Sequence, residues 1–345
     1  MNAPMAVESA EGTLTDLLVA LGVSEGETVF VHADLRRLGM MRGPGGDIRL
    51  AVSAETLLDA LRSVVGSRGT IVVPTYASEW SPDVRFDPAT SAGAMGAFSE
   101  LVRQQPGAVR TGHPLLSVAA LGPDATRLLG GVDESGYGAD SPHARLLAAD
   151  ARMIMVGVPL CSFKDHIEWR LRVPYRYEKI FETGSGQIFR HNVRYRYEGR
   201  SVGMTTFLGG LTADEHAVLT GGTWAKGEIH AVAARDMFAS VAGILERDPF
   251  RFVTDDLGFR REMTFLRDLE AAGTRRRVRH TPDGEIWEWA PAESERMIRV
   301  GGKTPGAEIC LRAAREILSD TEAEVSEPSA LAPAFFARLA EDARP

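Results

Sequence analysis

What most constrains this chain is a hydrophobic period that keeps switching between helical and strand spacing through its N-terminal half. In "TLTDLLVALG", Leu14, Leu17, Leu18 and Leu21 recur on one helical face, and Gly22 marks a stop. The next segment, "ETVFVHADL", carries the continuous apolar run Val29, Phe30, Val31 of a buried strand and ends in a polar tip. The plan repeats in "SAETLLDALRSVVGSRGTIVVPTY". There Ser53 is placed to cap a helix, Gly66 and Gly69 turn the chain, and the strand ends at Pro74. It returns in "MGAFSELVRQQPGAVRTGHPLLSVAALGP" and in "SPHARLLAADARMIMVGVPL". Helices alternating with strands argue for an α/β architecture. In such sheets the functional groups gather on loops beyond the strand ends. The tips "HADLRR", "TYASEW" and "CSFKDHIEWR" occupy that kind of position.

From about Phe181 the pattern changes. "QIFRHNVRYRYEG" alternates apolar and polar residues, which predicts a hairpin or antiparallel strands, and "GEIHAVAARDMFASVAGIL" predicts a short strand leading into a helix. After Arg247 the chain is more charged. It holds a helix within "RREMTFLRDLEAAG", the aromatic segment "EIWEW", and a linker running into a short amphipathic C-terminal helix. The expected organisation is a catalytic domain over residues 1–247. Residues 248–345 form a C-terminal extension, packed on it or partly flexible.

The formal net charge of −8 argues against a sequence-independent grip on nucleic acid or an anionic membrane, which needs a basic surface. A cationic small molecule suits the balance better. No apolar run approaches the roughly 18 residues of a membrane span, and the N-terminus lacks the basic and apolar regions of a signal peptide. Cys161 and Cys310 lie far apart, so reduced thiols in the cytoplasm are expected. No phosphate-binding glycine motif is present; "GMMRGPGGD" reads as a flexible loop. The one basic cluster, Arg275–His280, reads as a solvated face.

Several residues are candidates for chemistry. His32 and Asp34 form an H-x-D at a strand end, but two ligands without a third do not hold a metal, and a polar tip contacting ligand or backbone is the simpler reading. His113 precedes Pro114, so its backbone is extended or turning; with Ser117 it either faces a cleft or is structural. His166 lies between Asp165 and Glu168, and a carboxylate beside an imidazole raises the basicity a general base needs. A solvated polar turn would have the same composition. Cys161 follows a buried strand without a glycine-rich elbow, which favours a packed, inert thiol over a nucleophile.

Taken together, "VHADLRRLG", "GTIVVPTY", "MGAFSELVRQQPGAVRTGHPLLSVAALGPDA", "SPHARLLAADARMIMVGV" and "VPYR" resemble the aminoglycoside 3-N-acetyltransferase family from about Leu14 to about Val241. The resemblance implies an α/β fold with a mixed central sheet flanked by helices, to which the C-terminal helical and strand elements are added. It also implies acetyl-CoA, or another acyl-CoA, as co-substrate, direct transfer of the acyl group from the thioester to a small-molecule amine, that of an aminoglycoside or an amino-sugar-like biosynthetic intermediate, and no metal. On the CoA side it places His32, Ala33, Asp34, Leu35, Arg36, His113 and Ser117, and the helix start at Ser141 could offer N–H groups to an anion. Tyr76, Glu79 and Trp80 of the second tip are expected against the acceptor. The family pattern Thr-x-x-His-x-x-Glu falls on Ser162, Asp165 and Glu168, so this chain has aspartate where the family base stands and its histidine one residue later. The expected base is His166, partnered by Glu168 or Asp165, with Asp165 itself as the alternative base. The extension could cap the acceptor cleft, alter substrate choice or build a homodimer interface. Loss of chemistry with retained ligand binding, and thioester hydrolysis, are the competing functions.

Overall fold

The computed structural model describes residues 6–8, 13–42, 47–77, 86–132, 135–159, 161–182, 188–197, 200–201, 211, 220–224, 226–253, 256–281, 284–291, 294, 297–302, 304–319 and 328–343. They fall into two compact units. The first takes Met1–Trp80, Arg85–Arg170 and Thr206–Ile244; the second takes Ser81–Val84, Leu171–Thr205 and Leu245–Pro345. The units therefore do not part at a single point near residue 247, because Leu171–Thr205 belongs with the C-terminal residues.

The first unit is built on a mixed sheet. Its strands run in the order Ala6–Glu8, Thr220–Trp224, Gly227–Ala233, Arg152–Val156, Thr28–Ala33, Thr70–Pro74, Val118–Leu121 and Val109–Arg110. Thr28–Ala33 pairs in parallel with Thr70–Pro74 on one side and Arg152–Val156 on the other. Antiparallel strands flank that parallel centre. The helices form where the sequence periodicity places them. Leu14–Ala20 starts from a capping box in which Thr13 and Asp16 satisfy each other's backbone N–H. Ala54–Val65 is capped by Ser53, whose hydroxyl accepts the Thr56 N–H at 3.1 Å. Leu57, Leu58, Leu61 and Val65 of that helix pack on Val29, Val31, Ile71 and Val73 of the sheet. Each such buried side chain contributes about 1.5–3 kcal/mol. Because successive strand residues point to opposite faces, Val29 and Val31 enter this core while Phe30 and His32 face the other way. "GMMRGPGGD" is not merely a loop: Met40–Arg42 pairs antiparallel with Ile48–Leu50.

The second unit carries a five-stranded sheet in the order Ile188–Arg194, Arg176–Glu182, Arg275–Thr281, Gly284–Ala290 and Ile298–Gly302. The helices Leu257–Ala271, Gly306–Ser319 and Pro328–Asp342 also belong to it. Here strand alternation corrects the reading of Arg275–His280 as a solvated face. Arg275 and Arg277 are exposed, but Arg276 turns inward with Val278. Its guanidinium lies 4.7 Å from the Trp287 ring centroid and 5.3 Å from that of Trp289, bonds the Tyr195 hydroxyl, and pairs with Glu270 at 2.5 Å. Trp287 and Trp289 are fully buried and form the core of this unit. Glu285 accepts hydrogen bonds from the Tyr177 hydroxyl at 2.9 Å, Lys179 at 2.6 Å, the Trp287 indole at 2.8 Å and the Ala307 N–H at 3.2 Å.

Candidate active site

Beyond the C-terminal ends of the three central parallel strands the first unit gathers an unusual set of imidazoles. Phe30 and His32 share a face of their strand and make an edge contact, with centroids 4.6 Å apart; Phe30 also meets His143 at 5.6 Å. His143 lies in the Pro142–Ala148 helix. Phe163–Arg170, the helix after the Arg152–Val156 strand, brings Lys164, Asp165, His166 and Glu168. Gly157 makes the close approach possible: at φ +65°, a Cβ there would meet the Asp34 carbonyl oxygen at 2.6 Å.

Ser162, immediately before that helix, is the hub. The His32 Nε2 accepts the Ser162 backbone N–H at 3.1 Å and lies 2.9 Å from its Oγ. The His143 Nε2 lies 3.3 Å from the same Oγ and 3.3 Å from the Tyr76 hydroxyl. His143 Nδ1 faces the Gly136 carbonyl at 3.2 Å, and a carbonyl can only accept. Both rings therefore carry their proton on Nδ1 and present an Nε2 lone pair toward Ser162. Tyr137 donates from its hydroxyl to Asp165 at 3.2 Å. Ser162, Tyr76 and Asp165 are partly exposed, whereas His32, His143 and His166 are buried.

Burial fixes the charge state. It pushes the pKa of His32 down to about 4 against the pull of Asp165. For His143, burial leads, the neighbouring His166 and His32 add to it, and the value falls to about 3 even though Asp165 and the Gly136 carbonyl oppose the shift. Burial takes His166 to about 4. All three imidazoles are thus neutral near pH 7. Burial raises the Tyr76 phenol, which stays protonated, and pushes the Cys161 thiol up to about 12.

The expected residues divide sharply. His32, Tyr76 and Asp165 are at the cluster. His166 stacks near His143, with centroids 6.4 Å apart, but its Nδ1 donates to the Tyr137 carbonyl at 2.8 Å and its Nε2 is buried without a hydrogen-bond partner. Neither carboxylate bonds the ring, and Glu168 is instead ion-paired with Lys164. Ser117 lies in the core of the first unit. It is fully buried, donates to the Thr75 carbonyl at 2.7 Å and accepts from Arg110 at 3.2 Å. Leu35 likewise packs in the hydrophobic core. His113 Nδ1 accepts the Leu116 N–H at 3.0 Å. Ala33 ends its strand half-buried. Asp34 caps a short 3₁₀ turn and pairs with Arg36 at 3.0 Å, leaving Arg36 largely exposed. Ser141 is spent on its own helix, accepting the Ala144 N–H at 3.2 Å. Glu79 and Trp80 lie outside the described residues. No group of three or more His, Cys, Asp or Glu side chains among the described residues is arranged to hold a metal, and no described helix is long and apolar enough to cross a membrane.

His143 and Tyr137 were not singled out from sequence. The available signal was an imidazole opening a helix directly after a Ser-Pro cap, in "SPHARLL".

A family profile described as aminoglycoside 3-N-acetyltransferase matches residues 30–246. The chain is 33% identical over 205 residues to aminoglycoside N(3)-acetyltransferase VIII of Streptomyces fradiae, covering 52% of this chain and 68% of that one. It is 37% identical over 163 residues to the type VII enzyme of Streptomyces paromomycinus, covering 41% and 54%. The chain thus spans about half the length of the latter relative. Among solved structures, AAC-IIIb in a binary complex with CoASH is 26% identical with a TM-score of 0.56, over 72% of this chain and 100% of that one. A histidine-to-alanine mutant of AAC(3)-IVa in complex with a gentamicin is 25% identical with a TM-score of 0.56, over 72% and 93%. Fold and relatives together define an enzyme of the N-acyltransferase class. The chain belongs to the aminoglycoside 3-N-acetyltransferase family.

Proposed function

We propose that this protein moves an acyl group, acetyl in the first instance, from a CoA thioester to an amine of an aminoglycoside or a similar amino sugar. An ammonium has no lone pair, so the acceptor must lose a proton before it attacks, and the group that takes it must itself be unprotonated. The observation that carries the reading is the neutral His143, whose Nε2 lone pair faces the partly exposed Ser162 and Tyr76 hydroxyls at 3.3 Å. Asp165, 22% exposed at its side chain, is the acidic group that would hold the acceptor's ammonium and favour charge on the imidazoles. This geometry favours His143 over His166 as base, because the His166 lone pair faces no polar partner. Arg36, exposed on the His32–Arg36 tip, is a cation this loop offers to a CoA phosphate. The solved relatives with CoASH and with a gentamicin support both halves of the reaction.

The test is steady-state thiol release from acetyl-CoA across a panel of aminoglycosides and simpler amino sugars. Release that depends on the amine is the expected result. Continuous release without any amine would make the protein a thioester hydrolase instead, and CoA binding without release would make it a ligand-binding member that has lost its chemistry.

A further inference from the structure

We propose that Tyr137 is a positioning residue whose hydroxyl holds the Asp165 carboxylate beside the imidazoles, so that the site selects acceptors carrying a second, charged amine besides the one that reacts. The proposal rests on the acyltransferase reading and assigns what sets acceptor choice within it. Its basis is that the dipeptide Gly136–Tyr137 orients three site residues at once. The Gly136 carbonyl faces His143 Nδ1 at 3.2 Å, the Tyr137 carbonyl faces His166 Nδ1 at 2.8 Å, and the Tyr137 hydroxyl donates to Asp165 Oδ2 at 3.2 Å. Carbonyl oxygens only accept. Two successive peptide units therefore fix two imidazole tautomers, while the phenol between them fixes the carboxylate.

The dipeptide is itself held in place. A Cβ on Gly136 would overlap the Leu116 side chain, so glycine is what lets the backbone pass this close. Tyr137 is 2% exposed, and its ring lies against His143 with centroids 4.9 Å apart. A hydroxyl buried this far needs a partner, and here the partner is a charged one. Asp165 has a competing neighbour on its own helix, because Lys164 Nζ lies 3.8 Å from its Oδ1. Lys164 is in turn ion-paired with Glu168. Tyr137 thus draws the carboxylate toward the cluster, and Glu168 draws the lysine away from it. Without the phenol hydroxyl, Asp165 is left to close on Lys164, and that pairing would cancel the negative charge the site offers a ligand.

The held charge determines what binds. A carboxylate stabilises the protonated form of an amine beside it, and an ammonium has no lone pair with which to attack. An amine held by Asp165 therefore stays charged and serves as a handle. The amine that attacks the thioester is a different one, deprotonated at the neutral His143. A molecule with a single amine can satisfy only one of these two places at a time.

Steady-state kinetics with acetyl-CoA test this, with neamine as an acceptor of several amines and glucosamine as an acceptor of one. The proteins compared are the wild type, Tyr137→Phe, Asp165→Asn and the double variant. Phenylalanine keeps the ring against His143 and removes only the hydroxyl. Tyr137→Phe should raise the KM for neamine about tenfold, hold kcat within about threefold and leave the KM for acetyl-CoA unchanged. Asp165→Asn should raise the neamine KM at least as much. Adding Tyr137→Phe to it should change nothing further, because two residues acting through one interaction are not additive. The wild type should prefer neamine to glucosamine in kcat/KM, and that preference should shrink in each variant. Equal kcat/KM for the two acceptors in the wild type would overturn the proposal and leave the acyltransferase standing. So would a wild-type neamine KM in Tyr137→Phe, or the same loss from Tyr137→Phe with and without Asp165. A wild-type protein that releases thiol with no amine of the panel would remove the acyltransferase reading, and this proposal with it.

Discussion

The two compact units bury polar side chains to opposite ends. In the first, His32, His143 and His166 are sealed from solvent as neutral rings, and two of them aim lone pairs at a partly exposed hydroxyl. In the second, Arg276 and Glu285 are buried as charges and are closed off: rings, a phenol and Glu270 surround the guanidinium, and four donors converge on the carboxylate. A buried charge is tolerated only when it is paired and hydrogen-bonded, so the second arrangement is one of structure. A buried neutral base that keeps its lone pair available at an opening is poised for proton transfer. Burial alone distinguishes nothing here; what separates the two regions is whether the buried group's partners leave anything for a ligand.

That contrast can be broken by mutation. The largest effect falls on activity. His143→Gln should cut amine-dependent turnover by roughly 10²–10⁴-fold while leaving the thermal midpoint near wild type, since the ring carries no charge at neutral pH. A large loss of stability instead would make His143 a core residue like Arg276. Next comes Glu285→Ala, which strands Lys179 and three buried donors, the Tyr177 hydroxyl, the Trp287 indole and the Ala307 N–H. It should cost about 3–5 kcal/mol, read by urea denaturation through the fluorescence of Trp287 and Trp289. A cost under about 1 kcal/mol would show the cluster behaving as a surface pair.

Acid should separate the units further. A histidine whose folded pKa lies below its unfolded value of 6.5 binds fewer protons in the native state, so its stabilising contribution is complete above pH 6.5 and lost as pH falls toward the folded value. For His32 and His166 that window runs from 6.5 to about 4, and for His143 to about 3. At pH 5 the loss reaches about 2 kcal/mol for each ring. In the second unit Arg276 does not titrate. Although burial opposes it, Lys179 and the bonds from Trp287 and Ala307 hold Glu285 below the ordinary carboxylate value, so its contribution survives to lower pH. His280, half-buried, shifts in the same direction as the other rings. Pulse proteolysis at pH 7.5 and pH 5 should therefore cut the first unit first. Equal loss in both units would contradict the assignment of neutral imidazoles to one and fixed charges to the other.

Local signals were readable from sequence where a single element decides the outcome. The Ser53 cap, the Val29–Val31 strand and the strand-to-helix passage at Gly227–Arg247 all follow from spacing. Sequence reading stopped where rotation about a helix axis matters. Asp165 and His166 are adjacent, but one residue turns a helix by about 100°, so only one of them can face the cluster. Asp165 meets the Tyr137 hydroxyl, and His166 turns to the Tyr137 backbone. The same limit hid the second unit: its sheet joins Arg176–Glu182 to Arg275–Thr281 in parallel, Ile180 opposite Arg279, a long-range pairing that no local pattern announces. It also hid Arg276, whose inward direction follows only once the segment is known to be a strand.

The finest test concerns neighbours on one loop. Cys161 and Ser162 are adjacent, and although a free thiolate is the stronger nucleophile, the strand before Cys161 and the lack of a glycine-rich elbow already favour a packed, inert thiol. The structure separates the two. Cys161 is buried at 3% exposure with its thiol pushed up to about 12 by burial, whereas Ser162 is partly exposed between two imidazoles. Cys310 provides the matching case in the second unit, buried and accepting the Trp289 indole N–H at 3.2 Å, its thiol raised to about 12 as well. A thiol reagent at pH 8 should therefore label neither cysteine in the native protein and both after denaturation. Cys161→Ala should keep turnover within about threefold of wild type. Rapid native labelling of Cys161, with parallel loss of activity, would contradict its place in the core and bring a thiol into the first unit's chemistry.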